Sequence, residues 1–374
     1  MSSGGTFRLD EVCNVEYGTR VVQKRDGGAT YPVYGGGGAT FKMDVFNRED
    51  RLVVARFGMS EQCTRFVKGK FFLNDSGLTV SPRNGALAQR FLDYHLLAKN
   101  GEIFALGKGS AQKNLDVPAF RELKLSVPST AEEQQRIVAI LDEAFAGIAT
   151  AKANAEKNLQ HARAIFESHL QSVFTQQSDD WFVATIGEVC TLRSGTTVST
   201  ELEKPAGDLP YLKVADMAYA GNEGEIRGSS RFLSKSDVGK KSVLPAGTTI
   251  FPKRGGSILT NKKRMTAVPV CADLNIMGVI PGDRLLPKYL YFYFLNVDMR
   301  RIGSGSSIPQ INNYDIEPLE ISFPQTKEKQ GRIVLKLDEL AAETQRLETI
   351  YQRKLAALDA LKQSLLHQAF SGQL

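Results

Sequence analysis

Two long stretches of the chain carry apolar residues at helical spacing. In the first, Ile137, Leu141, Phe145, Ile148, Leu159, Phe166, Leu170 and Phe174 recur. In the second the series is Ile333, Leu337, Leu340, Leu347, Tyr351, Leu355, Leu358, Leu361, Leu365 and Phe370. Steps of three and four predict one apolar stripe per helix, the seam of a coiled coil. Thr130 and Glu133 form a capping-box signal after Pro128, and no proline follows until Pro205. Helices over 131–174 and 327–370, 44 residues each, would be roughly 66 Å long at ~1.5 Å per residue. Gly147 marks a candidate kink in one, and Gly331 a weak start in the other. Each stripe needs a cover. The other helix is the nearest one, and the alternative is that each helix packs on its own globular domain.

Between these stretches the pattern changes to short apolar runs broken by glycine. Tyr31–Tyr34 leads into Gly35–Gly38, and Leu52–Ala55 reads as a buried strand. Leu209–Val214 and Thr248–Phe251 play those parts later, and each block closes with a short apolar helix, about 86–98 and 287–301. The mixture predicts an α+β fold for each block.

The chain is also written twice. Shifted by 196, residues 128–174 fall on 324–370 without a gap, and 16 of 47 positions are identical. Both copies open with Pro-x-Thr-x-Glu-x-Gln-x-Arg-Ile-Val. Glu11–Thr19 matches Glu188–Thr196 at an offset of 177, and Gly107–Ser110 matches Gly303–Ser306 at 196. Shared ends with divergent middles predict two copies of one domain. The boundaries are 1–120 (globular), 121–178 (helical), 179–316 (globular) and 317–374 (helical). Two helices related by duplication would pair antiparallel with internal pseudo-two-fold symmetry.

Composition narrows the function. Of 374 residues 42% are apolar and 24% charged, as in folded proteins rather than disordered chains. The longest apolar run, Tyr289–Val297, is far short of a membrane span, so no membrane role is expected. No export signal is visible at the N-terminus, and Cys13, Cys63, Cys190 and Cys271 are too scattered for a disulfide framework or zinc site. A cytoplasmic location is expected. The net charge of +6 is unevenly spread: +4 over residues 1–118, −1 over 119–178, +3 over 179–315 and zero over 316–374. Basic excess confined to the two globular blocks fits contact with a polyanion.

Catalytic signals are absent from the sequence. There is no Walker phosphate loop, no G-x-G-x-x-G spacing at Gly35–Gly38, and no Asn/Asp-Pro-Pro-aromatic methyltransferase tetrapeptide. The four histidines offer no metal-ligand pair. Asp116 with Glu122 and Lys124 faintly resembles a nuclease carboxylate set, but its counterpart at 320 reads Glu-Ile-Ser. Neither a catalytic nor a metal site is expected.

Binding chemistry is better represented. Arg56-Phe-Gly-Met-Ser60 follows the first apolar strand, with Arg65, Lys68 and Lys70 behind it. Lys253-Arg254-Gly-Gly-Ser257 follows the matching strand, then Asn261, Lys262, Lys263 and Arg264. Basic residues at a strand end beside Gly and Ser suit phosphates and base edges. Gly36 and Gly37 either admit a close approach of DNA or simply turn a hairpin. The aromatic run Tyr289–Phe294 reads as core rather than a base-stacking platform, and Cys13 and Cys190 read as small buried residues.

With the repeat and its motifs in view, the chain resembles the specificity (S) subunit of type I restriction–modification systems over nearly its whole length. The repeated Pro-x-Thr head resembles the start of that family's conserved regions. Leu365-Leu-His-Gln-Ala-Phe-Ser-Gly-Gln-Leu374 resembles its ending, and Tyr31-Pro-Val-Tyr-Gly-Gly36 a common recognition-domain opening. The first copy departs at Gly107–Asn114, where the second has the more family-like Ile308–Asn312. The resemblance implies a non-catalytic subunit whose two target-recognition domains each read half of a bipartite double-stranded DNA target. It implies helices that set the gap, and two methyltransferase (M) subunits carrying S-adenosylmethionine for adenine methylation. Restriction (R) subunits would join with ATP and Mg, leaving this chain without a cofactor. Rival readings are a DNA-binding scaffold outside restriction, and a nuclease or methyltransferase with an unrecognised site.

Overall fold

The computed structural model describes residues 4–83, 85, 87–175, 180–239, 242–302 and 309–374. The matched Gly303–Ser306, and Ile308 of the family-like loop, lie outside the described residues. The chain divides into two compact units, Met1–Lys157 with Tyr351–Leu374, and Asn158–Ile350.

In the first unit β1 (Gly5–Arg8), followed by the single turn α1 (Leu9–Val12), pairs antiparallel with β10 (Lys124–Val127). Between them lies a six-stranded sheet of β2 (Cys13–Tyr17), β3 (Tyr31–Tyr34), β4 (Ala39–Met43), β5 (Arg48–Ala55), β6 (Thr64–Leu73) and β7 (Gly77–Pro82). Its order is β2-β7-β5-β6-β3-β4, with β3 and β6 parallel and the other neighbours antiparallel. The turn α2 (Gln23–Asp26) precedes β3. The run Leu52-Val-Val-Ala55 is apolar throughout because β5 is buried on both faces. Leu52 and Val54 join the core under α3 (Gln89–Ala98) and α4 (Asn100–Ala105), while Val53 packs with Val67, Phe71 and Leu73 behind the sheet. Short β8 (Gly107–Lys108) and β9 (Asn114–Leu115) lead to α5 (Val117–Arg121). Asp116 caps α5, its carboxylate accepting from the Ala119 N–H at 3.3 Å and pairing with Lys108. That capping role accounts for the carboxylate without nuclease chemistry.

The second unit repeats the plan. β11 (Trp181–Thr185), α7 (Ile186–Val189) and β12 (Cys190–Ser194) take the places of β1, α1 and β2, and β11 pairs antiparallel with β21 (Glu320–Pro324). The interior differs, being split into two sheets. One is ordered β12-β20-β17-β18-β14, from β14 (Glu225–Ile226), β17 (Thr249–Pro252), β18 (Arg264–Thr266) and β20 (Ile276–Pro281). The other is β15-β13-β19-β16, from β13 (Leu209–Leu212), β15 (Phe232–Leu233), β16 (Val243–Leu244) and β19 (Val270–Ala272). The apolar helix expected over 287–301 is α8 (Pro287–Asn296), followed by a 3-10 turn at Met299–Arg301, and α9 (Asn313–Ile316) matches α5. Tyr289, Phe292, Tyr293 and Phe294 are buried in this domain's core, as read from the sequence.

The long helices are α6 (Ala131–Thr175) and α10 (Lys327–Phe370), and α6 runs through Gly147 without interruption. In the first unit Arg136 donates to the Leu374 carbonyl at 2.9 Å, Lys152 pairs with Asp359 at 2.7 Å, and Lys362 lies over Phe145. Positions rise on one helix as they fall on the other, so the pairing is antiparallel. In the second unit Arg163 meets Glu348 at 2.6 Å, and Leu170 shares a core with Val334 and Leu337. The two ways of covering the stripes coexist: Ile137 and Leu141 also enter the first domain's core, together with Leu366 and Ala369.

The repeated head explains how helix and domain are joined. Gln134 is buried, and its Oε1 accepts from the Ala88 N–H at 2.8 Å, where α3 begins. Gln330 does the same for Leu286, at the start of α8, at 2.9 Å. Arg90 pairs with Asp142 at 2.7 Å and Lys288 with Asp338 at 2.9 Å. Phe370 packs on Phe91, and Phe174 on Tyr289, both at 5.3 Å between ring centroids. Each domain is therefore fastened to the start of one long helix and the end of the other.

Candidate nucleic-acid interface

The first domain's candidate surface lies where β5 ends. The Arg56 N–H donates to the Ser76 carbonyl at 2.8 Å, and its carbonyl accepts from the Leu115 N–H at 2.8 Å. Its guanidinium lies over two half-exposed rings, 4.9 Å from the Tyr17 centroid and 4.5 Å from Phe57. Gly35–Gly38 join β3 to β4 and pass close by. A Cβ on Gly36 would sit 2.5 Å from the Phe57 carbonyl, so the residue must be glycine for local packing alone. Arg65 donates to the Gly37 carbonyl. Ser60 is exposed, and Lys70 lies 4.6 Å from the half-exposed Phe46 ring.

In the second domain Lys253 and Arg254 leave β17. The Lys253 N–H donates to the Asn275 carbonyl at 2.8 Å, and its carbonyl accepts from the Ile311 N–H at 2.9 Å. Its ammonium donates to Ser194 Oγ at 2.8 Å. Partial burial, then the neighbouring Arg254, lowers its pKa from the usual lysine range. Arg254 is exposed and Lys262 half-buried. Arg264 donates to the carbonyls of Asn222, at 2.7 Å, and Lys263, at 2.8 Å.

Three residues from the sequence-derived set are placed differently: Lys263 and Asn261 bond within the fold, and Lys68, though exposed, lies on the α3 side of the sheet. Lys263 is only 2% exposed, donating to Asn261 Oδ1 at 2.7 Å and the Val297 carbonyl at 2.6 Å. Burial pushes its ammonium down to about 8. Asn261 adopts φ 52° to end the 3-10 turn at Gly255–Thr260, and its Oδ1 also accepts from the Met299 N–H. Both residues build the loop. Lys68 shares a shallow depression with Phe66, Gln89, Arg90 and Asp93, on the α3 side of the sheet. Conversely, Tyr17, Phe57, Phe46 and Ser194 border the basic residues and were not singled out from sequence. The signal for Tyr17 and Ser194 was their shared place in the repeated Glu11–Thr19 segment.

Among the described residues no group of His, Cys, Asp and Glu could hold a metal ion, and no helix is long and apolar enough to cross a membrane. His161, His169 and His367 are exposed on the long helices, while His95 is buried and stacks on Phe370 at 4.3 Å. The four cysteines are free; Cys13 is buried, and Cys190 partly so.

The model of the type I restriction modification DNA specificity domain matches twice, over residues 2–160 and 178–355. The MjaIX type I restriction enzyme specificity subunit of Methanocaldococcus jannaschii is 27% identical over 161 residues, covering 40% of this chain and 36% of that protein. The StySPI specificity subunit of Salmonella potsdam is 22% identical, covering 73% of this chain and 62% of that one. Among solved structures, one from work on complex assembly and conformational transition of the type I R-M system aligns at a TM-score of 0.79. It has 17% identity and covers 99% of this chain and 98% of its own. The HsdS subunit from Thermoanaerobacter tengcongensis aligns at 0.55, with 17% identity, over 100% and 97% of the two chains. These likenesses show the fold.

Proposed function

The chain belongs to the type I restriction modification DNA specificity family, and from that premise we propose that it is the non-catalytic, DNA-reading subunit of a type I restriction–modification complex. Each recognition domain reads one half of a bipartite target in double-stranded DNA. The paired helices α6 and α10 fix the unread gap and dock two methyltransferase subunits, which restriction subunits join. Methyl transfer and ATP-driven steps belong to those partners.

The supporting observation is the recurrence of one basic position on one backbone frame. Arg56 and Lys253 leave equivalent strands with matching backbone hydrogen bonds, each beside the end of the first sheet strand. Two like readers on one chain suit a target in two parts, because linking them raises the second reader's effective concentration. The contacting set is Gly36, Gly37, Arg56, Ser60, Arg65 and Lys70 in the first domain, with Lys253, Arg254, Lys262 and Arg264 in the second.

The test is a methylation map of DNA from cells co-expressing this chain with its methyltransferase subunit. One bipartite motif carrying methyladenine, and absent without this chain, is the expected result. Arg56→Ala should relax one half of that motif and spare the other. Unmodified DNA despite soluble, associated subunits would refute the proposal and favour a scaffold outside restriction.

A further inference from the structure

The two domains carry one backbone frame with different side chains at the same surface position. Tyr17 and Ser194 end the first strand of each sheet, opposite Leu78 and Met277 in matching registers. Each is followed by a glycine whose Cβ would collide with a carbonyl, 1.9 Å from Asn74 O at Gly18 and 2.1 Å from Asp273 O at Gly195. The next N–H groups, of Thr19 and Thr196, donate to Leu73 and Ala272 at 3.0 and 2.8 Å. With the shared bonds of Arg56 and Lys253, the two frames correspond residue for residue.

On this frame the cation and its neighbours differ together. In the first domain the guanidinium of Arg56 lies over Tyr17 and Phe57. In the second a lysine takes its place, Ser194 supplies a hydroxyl at 2.8 Å, and the next residue is Arg254 where the first domain has Phe57. Rings suit the flat face of a guanidinium, whereas a hydroxyl suits a compact ammonium. A guanidinium engaged through its face still offers donors along its in-plane edge. One of these, Nη1, reaches the Asp75 carbonyl at 3.4 Å, close to the limit of a hydrogen bond.

We propose that Tyr17 and Phe57 are positioning residues that present the edge of Arg56 to a single guanine in the half-target of the first domain. Guanine fits because its major-groove edge carries two adjacent acceptors, N7 and O6, matching a fork of N–H donors. Adenine places a donor beside N7 and opposes the second N–H. The inference rests on the reading of the chain as a bipartite DNA reader and adds which base one residue reads, and through which neighbours.

The experiment measures competition binding by the complex of this chain with its methyltransferase subunits, using duplexes varied one base pair at a time across both half-targets. Wild type should show one guanine in the first half whose replacement weakens binding. Tyr17→Ser and Phe57→Ala should each lower the discrimination at that position roughly tenfold, within the range for one bidentate contact, and leave the second half unchanged. Tyr17→Phe, which keeps the ring, should restore it. Arg56→Lys, which keeps the charge and loses the fork, should reproduce the single-position loss without touching the aromatic pair. An unchanged first-half profile in Tyr17→Ser, or equal loss across both halves, overturns the inference while the wild-type bipartite profile leaves the family reading standing. A wild-type complex without any bipartite profile removes that reading and this inference with it.

Discussion

Replacing Gln330 by leucine isolates the joint between a long helix and the domain beside it. Gln330 is fully buried in the first turn of α10. Its Oε1 accepts from the Leu286 N–H at 2.9 Å, and its Nε2 donates to the carbonyls of Arg284 at 2.9 Å and Pro324 at 3.1 Å. Leucine fills similar space, so the effect comes mainly from one N–H and two carbonyls losing their partner. An unsatisfied buried donor costs roughly 1–3 kcal/mol and a carbonyl somewhat less, giving about 3 kcal/mol in all. Leu286 is the N-cap of α8, so the loss should fall first on that helix. Hydrogen exchange followed by mass spectrometry reads this directly. Peptides covering α8 should lose on the order of a hundredfold in protection, while those covering α3 stay unchanged. Gln134→Leu should give the reverse pattern. A change below about threefold in α8, or an equal change in both helices, would refute the reasoning that each glutamine fastens its own domain.

Three further expectations follow from single positions. Gly147 is exposed within α6, and a Cβ there meets nothing within 4 Å, so Gly147→Ala should stabilise the first unit by about 0.5–1 kcal/mol in chemical denaturation; destabilisation would mean that the face is occupied. Burial holds the Asp93 carboxyl up at about 6, against about 3.9 in the unfolded chain, so stability is lost as pH rises from about 4 to about 6 and stays lost above. Asp93→Asn, which keeps the acceptor for Gln89, should therefore gain about 3 kcal/mol at pH 7.5 and little at pH 4; a gain independent of pH would contradict this origin. Phe370→Ala removes a ring stacked on His95 and packed against Phe91, and should cost about 2–3 kcal/mol of thermal stability; a cost within about 0.5 kcal/mol, typical of surface positions, would show that the end of α10 is not fastened there.

The elements that periodicity could reach are those whose burial it encodes. Leu52–Ala55 and the stripes of α6 and α10 are apolar because their positions face a core, so the pattern and the fold carry the same information. Basic residues carry no such imprint. Asn261-Lys-Lys-Arg264 reads as one solvated cluster, yet Lys263 turns inward, where Asn261 Oδ1 and the Val297 carbonyl at the end of α8 accept from its ammonium. Lys68 and Arg65 are neighbours along the chain. They separate because Phe66 and Lys68 share the α3 face of β6. The glutamines of the repeated head were visible as identities, but a polar identity does not announce that it is buried and bonded to the backbone of another helix. This asymmetry has a physical cause. Positions identical between the copies, such as Gly18 and Gly195 or Gln134 and Gln330, satisfy backbone geometry common to both domains. On the proposed function, a reader of two different half-targets would differ where its side chains meet the bases, and such positions would fall among the mismatches of the repeat. Tyr17 with Ser194, and Arg56 with Lys253, are mismatches held on matched backbone. Only the structure separates such framed differences from mere drift, because only the hydrogen-bonded frame shows that the two side chains occupy one place.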